Sequence, residues 1–300
     1  MPKKVLITGV SGLIGYHLAR QCLEQHMIVR GCSRQRNSLV RELESSADFS
    51  FYPANVESKK EVNEAFPSSV DIVYHFAGQP AVWFANANPP ADLSINVVGT
   101  VNILERMREV GAGKIVFPST GDVYKDTNLA NEDSPTETLN FYGLSKSTAE
   151  NYIKLYNKMF SIRYSILRIS LVYGPNFKRN AMFDIMKGLT DDGYIRLYTS
   201  IDSEYDFIYV DDVIEAMLQA QKESWDGKIV NISNGKGISI RNMIDIVSRL
   251  LNSEPKKVEI IENNIIRKIY SNHMAQSMGW KPRYSFEKGT SETVVWWQRI

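Results

Sequence analysis

The sequence predicts an α/β protein with a doubly wound parallel sheet and a smaller C-terminal lobe. Three observations predict it: short apolar segments alternate with helical ones through the first half, a glycine-rich turn joins the first such pair, and the alternation breaks after residue 174. Such alternation is typical of parallel strands covered by helices on both faces. We therefore expect one domain over residues 1–174 and a substrate-binding lobe over 175–300, partly interleaved with the sheet.

The elements are predicted in a regular order along the chain. Strands, which are short and rich in apolar or β-branched residues, are predicted at 4–8, 28–32, 49–53, 72–76, 114–117 and 164–169. Helices, in which apolar residues recur at helical spacing, are predicted at 14–25, 91–110 and 142–159, with a further one near 182–189.

Composition and charge exclude several classes of protein. Of 300 residues, 43% are hydrophobic and 23% are charged, which is too apolar for a disordered chain. The net charge of +1 leaves no cationic excess for binding nucleic acid or a membrane surface. No apolar run approaches a membrane span, and Met1-Pro2-Lys3-Lys4 leads directly into a strand. The cysteine count of 2 fits a reducing compartment and provides no metal cluster, so we expect a cytoplasmic enzyme without a metal.

The turn Gly9-Val10-Ser11-Gly12-Leu13-Ile14-Gly15 joins the first strand to the first helix. In that context a glycine motif predicts a dinucleotide site. Gly9 permits the tight turn, Gly12 lets the backbone approach a pyrophosphate, and Gly15 lets the helix pack closely on the sheet. The helix N-terminus adds amide donors and a positive dipole for the phosphates.

The end of the second strand favours NADP over NAD. NAD sites usually carry Asp or Glu about 20 residues beyond the turn, where it binds the ribose hydroxyls. This chain has Ser33 there, followed by Arg34 and Arg36. Because guanidinium groups bind phosphate through paired hydrogen bonds, these residues suit the 2′-phosphate of NADP. The alternative is a solvated loop whose arginines have no ligand.

Tyr142 and Lys146 are candidate catalytic residues. They lie four apart on a predicted helix, so both can point into one cleft, where the ammonium would lower the tyrosine pKa. Ser119, Thr120 and Asp122 follow the fifth predicted strand. Because ligands bind at the carboxyl ends of parallel strands, we expect these side chains at the same cleft. A hydroxyl near Tyr142 can bond a substrate oxygen and relay its proton.

Motifs from end to end of the chain form a set that resembles one known family. They are the turn at 9–15, Asp71-Ile72-Val73-Tyr74-His75-Phe76-Ala77-Gly78, Asn96-Val97-Val98-Gly99-Thr100, Ser119-Thr120 before Val123-Tyr124, Tyr142-Gly143-Leu144-Ser145-Lys146, Arg168 with Val172-Tyr173-Gly174-Pro175, Asp206-Phe207-Ile208-Tyr209-Val210-Asp211-Asp212, and Met278-Gly279-Trp280-Lys281-Pro282. Together they resemble the extended short-chain dehydrogenase/reductase family. The similarity is to its group of nucleotide-sugar epimerases, dehydratases and reductases, which includes UDP-galactose 4-epimerase-like enzymes with a Rossmann domain.

The resemblance implies roles for individual residues. Thr120, Tyr142 and Lys146 would form the catalytic triad, in which Tyr142 exchanges a proton with a sugar oxygen while a nicotinamide exchanges a hydride with the same carbon. Lys146 would also hold the nicotinamide ribose, and Thr120 would orient the reacting oxygen. The implied cofactor contacts are Gly9, Ser11, Gly12, Leu13, Ile14, Gly15, Ser33, Arg34, Arg36, Asn55, Val56, Phe76, Ala77, Gly78, Asn96, Tyr142 and Lys146. His75 is interpreted as structural, and helices 91–110 and 142–159, which commonly pair in this family, imply a homodimer.

Departures from the family pattern bear on the substrate. Tyr205 stands where the family often has an arginine for the substrate diphosphate, so Lys178, Arg179 and Arg267 are the candidate cations. Ser119 and Asp122 are the other predicted substrate contacts.

Dehydratases of this group follow the threonine with two acids, where this chain has Gly121 and Asp122. The usual glycine after Val123-Tyr124 is Lys125, which alters the loop and leaves the triad intact.

The sequence therefore predicts an NAD(P)-dependent enzyme that acts on a nucleotide-activated sugar. A 4-epimerase and a 4-keto reductase both use this triad, and they differ in whether the hydride returns to the sugar. One alternative is a nucleotide-sugar 4,6-dehydratase that uses Asp122 as acid. Another is a dinucleotide-binding regulatory protein without catalysis.

Overall fold

The structure is a computed structural model that describes residues 2–177 and 181–299. Within it the chain forms two compact, interleaved units. The first comprises Met1–Lys125, Ser134–Arg168 and Ile214–Val230, and the second comprises Asp126–Asp133, Ile169–Val213 and Asn231–Ile300. Besides the segment 126–133, the chain leaves the first unit after residue 168, returns at 214 and leaves again after 230. The boundary near residue 174 stays a prediction. That the second unit binds substrate stays a prediction.

The described strands are β1 (Lys4–Thr8), β2 (Ile28–Ser33), β3 (Phe49–Pro53), β4 (Ile72–His75), β5 (Lys114–Thr120), β6 (Asn128–Ala130), β7 (Arg163–Ile169), β8 (Leu171–Tyr173), β9 (Tyr194–Leu197), β10 (Glu204–Tyr209), β11 (Lys228–Ile232), β12 (Gly237–Ser239), β13 (Lys257–Ile260) and β14 (Arg267–Tyr270). The described α-helices are α1 (Leu13–Glu24), α2 (Ser38–Leu43), α3 (Lys59–Ala65), α4 (Val82–Ala87), α5 (Pro89–Leu93), α6 (Gly99–Val110), α7 (Phe141–Phe160), α8 (Ala181–Asp191), α9 (Val210–Gln219), α10 (Ile240–Leu251), α11 (His273–Ser277) and α12 (Phe286–Trp297). A π-helical turn spans Ser94–Val98, and 3-10 turns span Gly121–Val123 and Glu223–Trp225.

The main sheet has seven parallel strands in the order β11-β7-β5-β4-β1-β2-β3. The predicted fold class is therefore confirmed. The strand order reverses between β1 and β4, which is where open α/β sheets bind ligands. In the register, Thr8 at the end of β1 pairs with Cys32 of β2 and His75 of β4. The segments that follow these three strands consequently emerge side by side.

Alternation along the strands builds a core on both faces of this sheet. Leu6 and Val73 belong to a buried cluster that includes apolar residues of α3, α6 and α7. Ile7 and Tyr74 are paired one position further on and point to the opposite face, where Tyr74 lies close to Cys22 of α1. Fully burying one aliphatic side chain adds about 1.5–3 kcal/mol to the free energy of unfolding.

The predicted helix over 91–110 is observed as three consecutive pieces, α5, the π-helical turn and α6. The wider turn is closed by a hydrogen bond from Gly99 N to Ser94 O. It carries Asn96, whose side chain bonds the backbone of Gln79. Helix α6 then ends at Gly111, which has a φ of 70° that favours glycine. Short π-helical segments are frequent at functional sites, and this one carries Asn96, a predicted cofactor contact.

The second unit contains a five-stranded sheet in which β12, β10, β14 and β6 are neighbours and β8 pairs with β10, together with a separate parallel pair, β13 and β9. Asp206 on the central strand β10 is fully buried. Its carboxylate accepts hydrogen bonds from the backbone of Asn234, Gly235 and Tyr270. Among the described residues no helix combines the length and apolarity that a membrane span requires.

Candidate active site

The glycine turn is shaped by contacts between backbones. Gly9 has a φ of +69°, and a Cβ there would lie 2.7 Å from Ala77 N. A Cβ at Gly15 would lie 2.4 Å from Gly9 O, so the first turn of α1 packs directly on the loop. At Gly12 a Cβ would meet only Gly9 O, at 3.2 Å, and its other side is open. The first two positions therefore need glycine for the fold, whereas Gly12 leaves space for a ligand.

The N-terminus of α1 has the features of an anion-binding site. Gly12 is its N-cap, and no side chain caps the helix or adds an acid to its first turn. The leading amides, at Leu13 and Ile14, therefore keep their donor capacity, and the helix dipole favours negative charge there. Asn37 donates to Ser11 O at 2.9 Å and ties the turn to the start of α2. Together with the open side of Gly12, this arrangement fits the diphosphate of a dinucleotide.

The end of β2 presents one paired and one unpaired arginine. Ser33 is buried and donates to Gln35 O at 2.9 Å. Arg36 forms a close ion pair with Glu44 and lies 5.8 Å from the Phe51 ring centroid. Arg34 is exposed, and within the described residues it forms no ion pair. Arg34 is thus the arginine whose charge a carboxylate does not already neutralise.

Asn55 and Val56, the other predicted adenine-side contacts, form a turn before α3. Asn55 accepts a hydrogen bond from Glu57 N at 3.2 Å, and its own N–H donates to Glu61 at 2.9 Å. Val56 is buried against Gly99, where an added Cβ would lie 2.7 Å from its side chain.

The segment after β4 is held by a buried histidine. The His75 ring bonds Thr8 Oγ1 at 2.7 Å and Thr100 Oγ1 at 3.2 Å, and Thr8 in turn accepts from Ala77 N at 3.0 Å. Burial, and secondarily the charge of Lys146, lower the His75 pKa to about 3, so the ring is neutral. These contacts support the structural role predicted for His75. They hold Phe76, Ala77 and Gly78 beside the glycine turn.

The residues of the predicted triad come together at the end of β5 and the start of α7. Thr120 hydrogen-bonds the phenol of Tyr142 and also accepts from Asp122 N at 3.1 Å. Asn140 caps α7 by accepting from Gly143 N at 2.8 Å. Lys146 is buried one turn further on, with Nζ 3.9 Å from the Phe117 ring centroid. This cluster lies in the same unit as the glycine turn.

The ionisation of this cluster differs from the sequence-based expectation. Burial lowers the Lys146 pKa to about 7, although Glu150 and Asp92 oppose the change. The Tyr142 pKa is raised, first by burial and then by Asp122, and the bond from Thr120 only partly offsets them. The predicted lowering of the Tyr142 pKa by Lys146 is therefore wrong for this structure, because desolvation and a nearby carboxylate dominate.

A buried ion pair joins α7 to β7. Glu150 accepts hydrogen bonds from Arg168 at 3.1 and 2.7 Å and a close one from Ser119. The Arg168 guanidinium lies 4.8 Å from the Tyr124 ring centroid. The hydroxyl of Ser119, a predicted substrate contact, therefore donates to Glu150 of this pair. Sequence reasoning missed Glu150, although its spacing of four from Lys146 places both on one helix face.

Asn96, a predicted cofactor contact, belongs to a second buried network. It donates to Asp92 at 2.9 Å and to Ser145 Oγ at 3.0 Å, and it accepts from Gln79 N at 2.8 Å. Asp92 and Gln79 were not predicted, because nothing in their local sequence distinguishes them from surface polar residues.

The remaining predicted substrate contacts are dispersed. Asp122 lies beside Tyr142 in the first unit. Arg267 belongs to the second unit, is exposed, and pairs with Glu204 at 3.3 Å. Lys178 and Arg179 lie outside the described residues. Across the described chain, no group of three or more His, Cys, Asp or Glu side chains could hold a metal ion.

Comparisons of this chain with known proteins point to one family. The family model for the NAD dependent epimerase/dehydratase family matches residues 5–233. The protein named "Putative UDP-glucose 4-epimerase" of Methanocaldococcus jannaschii is 32% identical, with 97% of each chain covered. The dTDP-D-glucose 4,6-dehydratase of Mus musculus is 26% identical, covering 99% of this chain and 89% of that protein. The solved UDP-glucose 4-epimerase of Thermus thermophilus, in complex with NAD, is 26% identical with a TM-score of 0.86, covering 98% and 99%.

Proposed function

Because the chain belongs to the NAD-dependent epimerase/dehydratase family, we propose that it is an enzyme that interconverts nucleotide-activated sugars as a 4-epimerase. One observation carries this proposal: Thr120, Tyr142 and Lys146 form one cluster in the unit whose glycine turn and uncapped α1 fit a dinucleotide. The 32% identity to a protein named as a UDP-glucose 4-epimerase supports the choice of reaction.

A bound nicotinamide supplies the acceptor and donor of hydride in this chemistry. Tyr142 takes the proton of the sugar hydroxyl as a base and returns it as an acid. Its raised pKa favours the phenol, which suits donation to a keto oxygen, while the bond from Thr120 favours the phenolate. Lys146, with a pKa of about 7, passes readily between ammonium and amine at neutral pH. Its charge therefore changes within the pH range of an ordinary assay.

The experiment that tests the proposal follows sugar and cofactor together. Purified protein is incubated separately with UDP-, GDP-, CDP- and dTDP-sugars, and products and reduced nicotinamide are measured. Interconversion of epimers without net change in the cofactor is expected. Net oxidation of NADPH would instead identify a 4-keto reductase, which uses the same three residues.

The Tyr142→Phe variant is the matched control, because it removes only the phenol oxygen. It should bind the dinucleotide as the parent does and lose turnover by roughly 100-fold or more. Unchanged turnover would exclude the triad. Absence of turnover from the parent with every sugar would favour the alternative of a non-catalytic dinucleotide-binding protein.

A 4,6-dehydratase is the second candidate, on the ground that Asp122 lies near enough to Tyr142 to raise the phenol pKa. The relative named as a dTDP-D-glucose 4,6-dehydratase is similar along 99% of this chain. Gly121 argues against it, because the first of the two predicted acid positions carries no side chain. Formation of a 4-keto-6-deoxy sugar from dTDP-glucose, abolished by Asp122→Asn, would establish this reaction in place of epimerisation.

For the cofactor we propose NADP, on Ser33 in place of a carboxylate and on the exposed Arg34. Arg36 contributes less because Glu44 already pairs with it. Dissociation constants for NAD and NADP, measured on the parent and on Arg34→Gln, test this. The variant should weaken NADP binding about tenfold and leave NAD binding unchanged. Tighter binding of NAD by the parent would overturn it.

We also propose that α7 pairs with a second copy of the chain. Leu144, Tyr152, Leu155 and Met159 are 40–62% exposed and recur at helical spacing along one face of the helix. Exposed apolar side chains along one face of a helix are typical of an interaction surface. Sedimentation analysis should give a dimer, and Leu155→Glu should dissociate it while Lys154→Glu, off that stripe, does not. A monomeric parent would refute the pairing.

A further inference from the structure

Asp92 is a buried carboxyl group that the proposed reaction does not use. It lies in α5, is 1% exposed, and precedes the π-helical turn. Its Oδ1 accepts hydrogen bonds from Asn96 at 2.9 Å and from Gln79 Nε2 at 3.1 Å. The hydroxyl of Ser145 also lies close to this carboxyl group and interacts with it, while its proton is donated to Tyr142 O. A buried carboxyl with this many donors is held in one position, and it is costly to bury without a function or a structural need.

The network around Asp92 joins three segments of the first unit. Gln79 belongs to the segment after β4, where it also donates to Ala81 O at 2.9 Å. Asn96 belongs to the π-helical turn and donates to Ser145 at 3.0 Å. Ser145 belongs to the first turn of α7 and donates to Tyr142 O at 2.9 Å. Asp92 thus reaches the backbone of Tyr142 through two hydrogen-bonded side chains.

Asp92 also acts on Lys146 by its charge. The groups that face Lys146 are Glu150 on its own helix, His75 of β4, the Phe117 ring of β5 and Asp92 of α5. Of these, Glu150 and Asp92 raise the Lys146 pKa against the effect of burial. Tyr142 is faced by Thr120, Asp122 and Asp92, and both carboxylates raise its pKa.

We infer that Asp92 is a positioning residue for the catalytic pair, holding the first turn of α7 through Asn96 and Ser145 and placing a negative charge beside Lys146. The inference deepens the proposed function and rests on it, because it assigns a residue that holds the first turn of α7 and that, together with Glu150, opposes the effect of burial on the Lys146 pKa. Glu150 opposes the effect of burial more strongly than Asp92 does, although two hydrogen bonds from Arg168 also engage its carboxylate.

Two substitutions separate the charge of Asp92 from its hydrogen bonds. Asp92→Asn keeps an oxygen for Asn96 and Gln79 and removes the charge. Asp92→Ala removes both. Asp245→Asn, at an exposed position of α10, is the control for loss of one negative charge.

The measurement is the titration of Lys146 in the full chain, by NMR of 13C-labelled lysine with the Lys146 signal assigned from Lys146→Arg. The parent midpoint is expected near pH 7. Removing an opposite charge lets burial lower it further, so Asp92→Asn and Asp92→Ala should each move the midpoint down by about 1 pH unit. Asp245→Asn should leave it unchanged. Loss of the Lys146 proton should also reduce turnover as pH rises through its midpoint, and in Asp92→Asn this fall should occur at a pH lower by the same amount.

The structural arm is thermal denaturation. Asp92→Asn should melt close to the parent, whereas Asp92→Ala should melt several degrees lower, because Asn96 and Gln79 lose their acceptor. An unmoved Lys146 midpoint in Asp92→Asn would overturn the inference whatever the melting temperature. Because this midpoint needs no turnover, failure of the proposed function would be recognised separately, by active Tyr142→Phe or an inactive parent.

Discussion

Replacing Glu150 by leucine tests the buried charges on which α7 rests. The Glu150 carboxylate bonds Arg168 at 3.1 and 2.7 Å, and the two side chains are only 2% and 5% exposed. Water therefore screens neither charge. Glu150→Leu would leave Arg168 as a buried cation without a counterion, and Ser119 without its acceptor. We expect the free energy of unfolding to fall by about 3–5 kcal/mol, as for other broken buried pairs.

Urea denaturation followed by circular dichroism at neutral pH measures this loss. The control is Glu105→Leu, because Glu105 pairs with Arg108 at 2.9 Å on the surface, where the side chains are 27% and 41% exposed. That variant should lose no more than about 1 kcal/mol. The double variant Glu150→Leu/Arg168→Met should recover most of the loss, since it removes both charges.

The reasoning is refuted if Glu150→Leu costs no more than Glu105→Leu. It is also refuted if the double variant is less stable than Glu150→Leu alone, because the loss would then come from packing and not from an unpaired charge.

Three further predictions concern the first turn of α7 and the second unit. Gly143→Ala would place a Cβ 2.2 Å from Asp122 O, so turnover should fall at least tenfold with a cost of about 1–3 kcal/mol, whereas Ser147→Ala on the same helix should be neutral in both assays. Asp206→Asn would turn an amide N–H₂ towards backbone donors, and we expect chemical denaturation to show a loss of about 2–3 kcal/mol. Burial raises the Asp206 pKa from 3.8 to about 6, so its protonation favours the folded state below pH 3.8, and this contribution is lost as pH rises through 6. The free energy of unfolding of Asp206→Asn should lack this pH-dependent contribution between pH 3.8 and about 6. A pH dependence equal to that of the parent would contradict the assignment.

Much of the fold could be predicted because its signals are local. A parallel strand buried on both faces is a short apolar run, and β1 and β3 were predicted with the bounds that the structure has. The helix over 91–110 was predicted as one element, because its apolar spacing continues through the π-helical turn. The extra residue of that turn is accommodated by contacts from Asn96 to a distant segment, which periodicity cannot reveal.

The candidate site divides in the same way. Tyr142 and Lys146 were predicted from their spacing on a helix, and Thr120 from its place after a strand together with the resemblance to the family. Glu150 and Asp92 were missed, since each acquires its importance from partners 18 and 13 positions away, Arg168 and Gln79 respectively.

By itself the sequence determined much of the strand and helix order in the first half, the position of the glycine turn and the membership of an enzyme family, and the resemblance to that family suggested the candidate triad. Each of these depends on residue type and spacing along the chain. Only the tertiary structure decided the ionisation of Tyr142 and Lys146, because burial dominates the pKa of both and Asp122 adds to the rise at Tyr142. The lowered pKa of Lys146 and the raised pKa of Tyr142 are therefore properties of the folded site, where low dielectric makes distant charges count.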